Sequence, residues 1–110
     1  MKLTFKERLG LASILPEQGT FGTLRTVRRL REAMEFTVEE SEKYGLTAVP
    51  VPGQVIWSWS PEYKDLRIEV PIDVGGLAFL TAEIKRLAEA GKLPDVLLDV
   101  AMELIPEAKG

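Results

Sequence analysis

From Phe5 to Leu15 apolar residues recur at helical spacing, with Phe5, Leu9 and Ala12 on one side and Leu11, Ile14 and Leu15 beside them. Pro16-Glu17-Gln18-Gly19 then stops the helix, because proline cannot continue it and glycine permits the turn. A second helix is predicted from Phe21 or Thr23 to Glu35, carried by Leu24, Val27, Leu30 and Met34. Arg25, Arg28, Arg29 and Glu32 fall on its other side, and Arg28–Glu32 and Arg31–Glu35 have the spacing of ion pairs along a helix. Thr37-Val38-Glu39-Glu40 reads as a capping box. The helix it opens reaches Tyr44 and meets Gly45, and Phe36 is placed to staple its start.

The period then changes. Ala48-Val49-Pro50-Val51-Pro52-Gly53 reads as linker or edge-strand material, since both prolines exclude a central strand. From Gln54 to Ser60 the residues alternate, with Val55, Trp57 and Trp59 on one face. After Pro61-Glu62-Tyr63-Lys64-Asp65, Leu66, Ile68, Val70 and Ile72 alternate with Arg67, Glu69, Pro71 and Asp73. The two runs are expected to pair as a β-hairpin that lays its apolar face on helices. Asp73 caps a helix from Val74 to Ala90, closed by Gly91, with Leu77, Leu80, Ile84, Leu87 and Ala88 inward. A last helix is predicted from Pro94 to Ile105, followed by a frayed tail, Glu107-Ala108-Lys109-Gly110. The expected fold is α+β and mostly helical: three N-terminal helices, a two-stranded antiparallel hairpin and two C-terminal helices, in a single domain over residues 1–110.

Composition narrows the chemistry. The chain has no Cys and no His, which removes disulfides, thiolate nucleophiles, Cys/His metal sites and imidazole acid–base catalysis. Its formal charge is −3, from 14 basic and 17 acidic residues, without the basic surplus usual in nucleic-acid binders. No apolar run approaches the roughly 20 residues of a membrane span, and the charged start lacks the apolar stretch of a secretory signal. A cytoplasmic location is therefore expected.

Four groupings are candidates for function. Arg25, Arg28, Arg29 and Arg31 lie within seven residues, in an order of helices and hairpin that matches a winged helix-turn-helix. In such a fold Arg25, Arg28 and Arg29 would meet phosphates, but the helix in the recognition position carries Glu39, Glu40 and Glu42 and would be repelled by a duplex. Trp57 and Trp59 suit base stacking less well than a hydrophobic core. Asp73-Val74-Gly75-Gly76 lacks both nucleotide-binding fingerprints and reads as a tight strand-to-helix turn. In the last helix Asp95, Asp99 and Glu103, with Glu107 beyond, are spaced by four, and nearly everything between them is apolar. A helix with only an acidic strip exposed needs apolar partners on two sides. Leu97, Val100, Ala101 and Leu104 are the expected self-association residues, one side on the core and the other on a second chain; the alternative is a last helix sandwiched inside one domain, between the hairpin and the first helices.

The stretch from Glu7-Arg8-Leu9 through Ile14-Leu15-Pro16-Glu17-Gln18-Gly19-Thr20-Phe21-Gly22-Thr23-Leu24 to Leu30-Arg31-Glu32 resembles a set of small proteins encoded in phages and prophages. Gln54-Val55-Ile56-Trp57 and the later Leu87 and Gly91-Lys92-Leu93 echo the same set. The resemblance implies a phage or prophage setting and work inside a bacterial cytoplasm. Its motifs are helix ends and core positions, so it assigns no functional residue.

No nucleophile–base pair stands out, so a non-enzymatic accessory protein is expected, with no catalytic residue, cofactor or metal. The expected partner is a second copy, with a host or phage protein also open; neither nucleic acid nor a membrane is the expected partner. The alternatives are a winged-helix-like nucleic-acid binder and a small-ligand-binding oligomer with its site between subunits.

Overall fold

The computed structural model of the chain describes residues 1–105. In chain order the elements are β1 (Lys2–Leu3), α1 (Phe5–Ile14), α2 (Phe21–Met34), α3 (Val38–Tyr44), β2 (Thr47–Val51), β3 (Gln54–Ser58), β4 (Ile68–Glu69), α4 (Val74–Glu89) and α5 (Leu98–Leu104). Two 3-10 turns, Pro61–Tyr63 and Asp95–Leu97, precede β4 and α5. The fold is α+β and mostly helical, as the spacing predicts. The tail from Glu107 onward lies outside the described residues.

Helix starts follow local chemistry. Thr37 and Glu40 form the capping box read from sequence, and α3 ends at Gly45, whose φ of 67° is left-handed. Asp73 caps α4 by accepting the Gly76 amide at 2.6 Å. A second capping box, missed in the sequence reading, starts α1. The Glu7 amide donates to Thr4 Oγ1 at 3.1 Å, and the Thr4 amide donates to Glu7 Oε1 at 2.9 Å.

The strands are where the structure corrects the sequence reading. The hairpin pairs Thr47–Val51 with Gln54–Ser58, from Thr47 opposite Ser58 to Val51 opposite Gln54. Pro52-Gly53 makes the two-residue turn, and Gly53 sits at φ 82°, the value that the third position of a type II turn requires. The prolines exclude a central strand, and β2 is an edge strand, since among the described residues its sheet has two strands. Pro50 stands one residue from the turn-flanking pair, where an antiparallel ladder directs the backbone N–H away from the partner, so no ladder bond is lost. The Leu66–Ile72 run pairs elsewhere: β4 joins β1, with Lys2 opposite Glu69 and Leu3 opposite Ile68. The Val70 amide extends that ladder to the Met1 carbonyl at 2.8 Å.

One core gathers Leu3, Leu11 and Leu15 from the N-terminal segment, Val27, Leu30 and Met34 from α2, Val70 just after β4, Leu80 and Ile84 from α4, and Leu97, Val100 and Ala101. Gly76 allows α4 to approach α2 closely, since a Cβ there would lie 3.0 Å from Leu30 Cδ2. Ala88, expected inward, is exposed. The last helix is also shorter than predicted, because Asp95–Leu97 forms a 3-10 turn. Leu97, at the end of that turn, is buried within its own chain with Val100 and Ala101, while Leu104 packs half-buried against the core. The expected self-association surface on Leu97, Val100, Ala101 and Leu104 is therefore taken up by the core. Leu98 is the apolar residue that α5 leaves exposed.

Among the described residues, Glu7 and Arg8 are the buried charged side chains. Arg8, 3% exposed, reaches from α1 to the corner between α2 and α3. Its Nη1 and Nη2 grip Glu40 at 2.6 and 3.1 Å. Nη2 also donates to the Glu35 carbonyl at 2.6 Å, and Nε to the Met34 carbonyl at 3.3 Å. Two carbonyls left open at the end of α2 are thus satisfied by a cation, the sign that a helix C-terminus favours. Glu40 meanwhile serves both Arg8 and the Thr37 amide.

The hydrogen bond from Arg8 holds the Glu40 carboxyl below its ordinary pKa, against the opposing effect of partial burial. A carboxylate depressed in the folded state stabilises the fold above its unfolded pKa and loses that contribution as pH falls through the folded value. Arg8→Met should cost about 3–5 kcal/mol at neutral pH, because it strands Glu40 and two carbonyls. Glu40→Gln should remove part of the acid-side loss of stability. Urea midpoints measured across the acid range check both, and an unchanged acid slope in Glu40→Gln would contradict this account.

Candidate functional site

An aromatic cluster ties the β2–β3 hairpin to the helices. Phe5, buried at the start of α1, meets Phe36, Tyr44 and Trp59 at centroid distances of 5.6, 5.4 and 5.6 Å. Phe36 meets Trp57 edge to face at 4.9 Å, and the Arg8 guanidinium lies over the Phe36 ring at 4.8 Å. Tyr63 extends the cluster through Tyr44 at 5.0 Å. These edge-on arrangements suit the ring quadrupoles. Trp57 and Trp59 are half-buried at the root of the hairpin and do not belong to the central core expected for them. Strand alternation puts them on the helix-facing side, and toward the turn the hairpin is exposed among the described residues.

Beyond that root the hairpin projects. Val49, Val55 and Ile56 are 49%, 53% and 50% exposed, and Gln54 and Ser58 are exposed too. No charged residue stands between Lys43 and Glu62, in a chain whose charged fraction is 28%. The neutrality of this segment and the Pro52-Gly53 turn are the signals that mark the arm in the sequence. The expected pairing of Trp59 with Leu66–Ile72 hid them.

The arginines do not converge. Arg31 donates to the Leu15 carbonyl at 3.2 Å, and Arg29 pairs with Asp73 at 3.3 Å. Arg25 and Arg28 remain exposed on the outer face of α2. Near them at the helix start is Phe21, 88% exposed. Helix α3, in the recognition position of a winged helix, carries acidic Glu39 and Glu42 outward, and its Lys43 lies over the Tyr44 ring. The hairpin that would be the wing has no basic residue, and β1 pairs with β4 rather than with the hairpin.

Asp73-Val74-Gly75-Gly76 is occupied by its own cap, since Asp73 takes the Gly76 amide that an anion would need. The acidic strip is exposed at Asp95, Asp99 and Glu103, with Asp99 3.9 Å from Arg67. Among the described residues no group of three acidic side chains is arranged to hold a metal ion. Two open grooves flank α2. One of about 690 Å³ runs between Arg29, Leu30 and Asp73, and one of about 480 Å³ lies between Leu9, Met34 and Trp57. Among the described residues no helix is long and apolar enough to cross a membrane.

The chain matches no family model, no curated protein and no solved structure.

The root and the arm should respond differently to substitution. Trp59→Ala removes a ring packed on Phe5 and should cost about 1–3 kcal/mol, less than a fully buried tryptophan. Val55→Ser, on the exposed arm, should change stability by less than about 0.5 kcal/mol. Denaturant unfolding of both variants measures the contrast, and equal losses would place the arm within the cooperative core.

Proposed function

We propose that the chain is a non-enzymatic accessory protein that acts through protein contacts and self-association, with the β2–β3 arm as its contact surface. The observation that carries this reading is the arm itself: a neutral, apolar hairpin held at its root by aromatic rings and exposed at Val49, Val55 and Ile56. Isolated exposed apolar residues are ordinary, but three on one projecting, uncharged element, Val49 and Ile56 on one face and Val55 on the other, mark it as a candidate contact element. Proteins ordinarily protect such strands with charge, and this one carries none. The resemblance of residues 7–32 to small phage and prophage proteins supports a viral accessory role, in a bacterial cytoplasm.

The exposed acidic face of α3 and the neutral hairpin favour a protein partner over a nucleic acid, because a phosphate backbone is recognised by convergent positive charge. The grooves flanking α2 are open troughs, and neither gathers convergent polar groups around an enclosed volume. The arm, with its exposed apolar surface, is the better candidate for the working part.

Light scattering over a dilution series tests the proposal. The wild-type chain should show a mass above 12.2 kDa that falls on dilution. Ile56→Lys should return it to a monomer with little change in melting temperature. Leu98→Lys should leave the assembly intact, because α5 is not the contact. A monomer of 12.2 kDa into the high micromolar range would reject self-association. An assembly broken by Leu98→Lys but not by Ile56→Lys would move the contact to α5.

A further inference from the structure

Resting on that reading, we infer that the occupant of the arm is a second copy of the same strand: β3 pairs antiparallel with β3 of another chain across a two-fold axis at Ile56. The direction of the backbone groups selects β3. Val51 and Gln54 flank a two-residue turn, so Val51–Gln54, Val49–Ile56 and Thr47–Ser58 are the pairs that exchange hydrogen bonds within the hairpin. The amides and carbonyls of Val55 and Trp57 therefore point out from the free edge of β3. The free edge of β2 should present Ala48 and Pro50 in the same way, and Pro50 has no N–H to give. Among the described residues no other strand pairs with β3.

The sequence of β3 fits itself in reverse. Gln54-Val55-Ile56-Trp57-Ser58 runs polar, apolar, apolar, apolar, polar. With the axis at Ile56, Gln54 faces Ser58 of the second copy and Val55 faces its Trp57. Both outward residues of each strand then exchange hydrogen bonds, and the whole of β3 is used. Moving the axis to Val55 or Trp57 leaves one end of each strand unpaired. Alternation places Gln54, Ile56 and Ser58 on one face with Val49, so Ile56 meets Ile56 there as a close, non-hydrogen-bonded pair. Charge points to the same occupant. A charged partner strand would find no counter-charge between Lys43 and Glu62, whereas a second copy brings none. Antiparallel pairing also sets the two helical bodies at opposite ends of the resulting four-stranded sheet. The same patch meets itself, as two-fold assembly requires.

The absence of cysteine makes a direct test possible. Ile56→Cys introduces a single thiol on the axis, where facing Cα atoms of a non-hydrogen-bonded pair stand about 4.5 Å apart, within disulfide reach. Mild oxidation should give a covalent dimer in high yield. Gln54→Cys places its two thiols four residues out of register, about 13 Å apart along the sheet, and should not cross-link to itself. Mixed with Ser58→Cys, it should form the heterodimer. If light scattering shows an arm-dependent assembly but Ile56→Cys fails to cross-link, or Gln54→Cys cross-links equally well, the arm remains the contact and edge pairing is overturned. If there is no assembly and no cross-link, both readings fall together.

Discussion

Arg8 is buried with a guanidinium that must be satisfied, and the path of the chain from Met34 to Glu40 satisfies it. A buried cation without partners would cost far more than a small domain has to spare. The corner between α2 and α3 is therefore tied to α1 through four hydrogen bonds. Phe36 lies within that corner, stacked under the guanidinium and edge-on to Trp57. The hairpin's attachment thus depends on an arginine in a different part of the chain. The direction in which the arm leaves the body is set by this chain of contacts and not by the hairpin's own sequence.

Much of the helical framework could be read locally. The Thr37–Glu40 box, the Gly45 stop and the Asp73 cap are short-range devices, and each stands where its spacing puts it. The Thr4–Glu7 box has the same spacing and was equally open to reading. What escaped was long-range. Leu66–Ile72 has a convincing strand pattern, but alternation does not name a partner. The segment pairs with Lys2–Leu3, more than sixty residues away. Pro50 and Pro52 mark edge-strand or linker material, but they do not show that this segment, and not Leu66–Ile72, is the partner of Gln54–Ser58. In a two-stranded sheet one falls at an outward N–H and the other in the turn.

The candidate surface was legible only in part. The excess of apolar residues in the last helix is real, but Leu97, Val100 and Ala101 are buried in the chain's own core. They stand with Leu104 at the i, i+3, i+4, i+7 spacing of a single helix face, and the core takes that face. Arg8 could not be distinguished from Arg25 or Arg28 by type. Its position on the helix of Phe5 and Leu11 was the available clue, and its four acceptors lie at least twenty-six residues away. The exposed arm has a clearer signature in hindsight, a neutral run crossing a Pro-Gly turn.

Fold and proposed role meet in the division between a body stabilised by its core and an arm left free to pair. Backbone amide exchange in β3, followed residue by residue across a dilution series, tests that division most directly. The Ile56 amide, bonded to β2, should exchange at a rate independent of concentration. The Val55 and Trp57 amides, which point outward, should exchange fast when dilute and slow markedly as the protein is concentrated. Equal, concentration-independent exchange at all three positions would contradict the account.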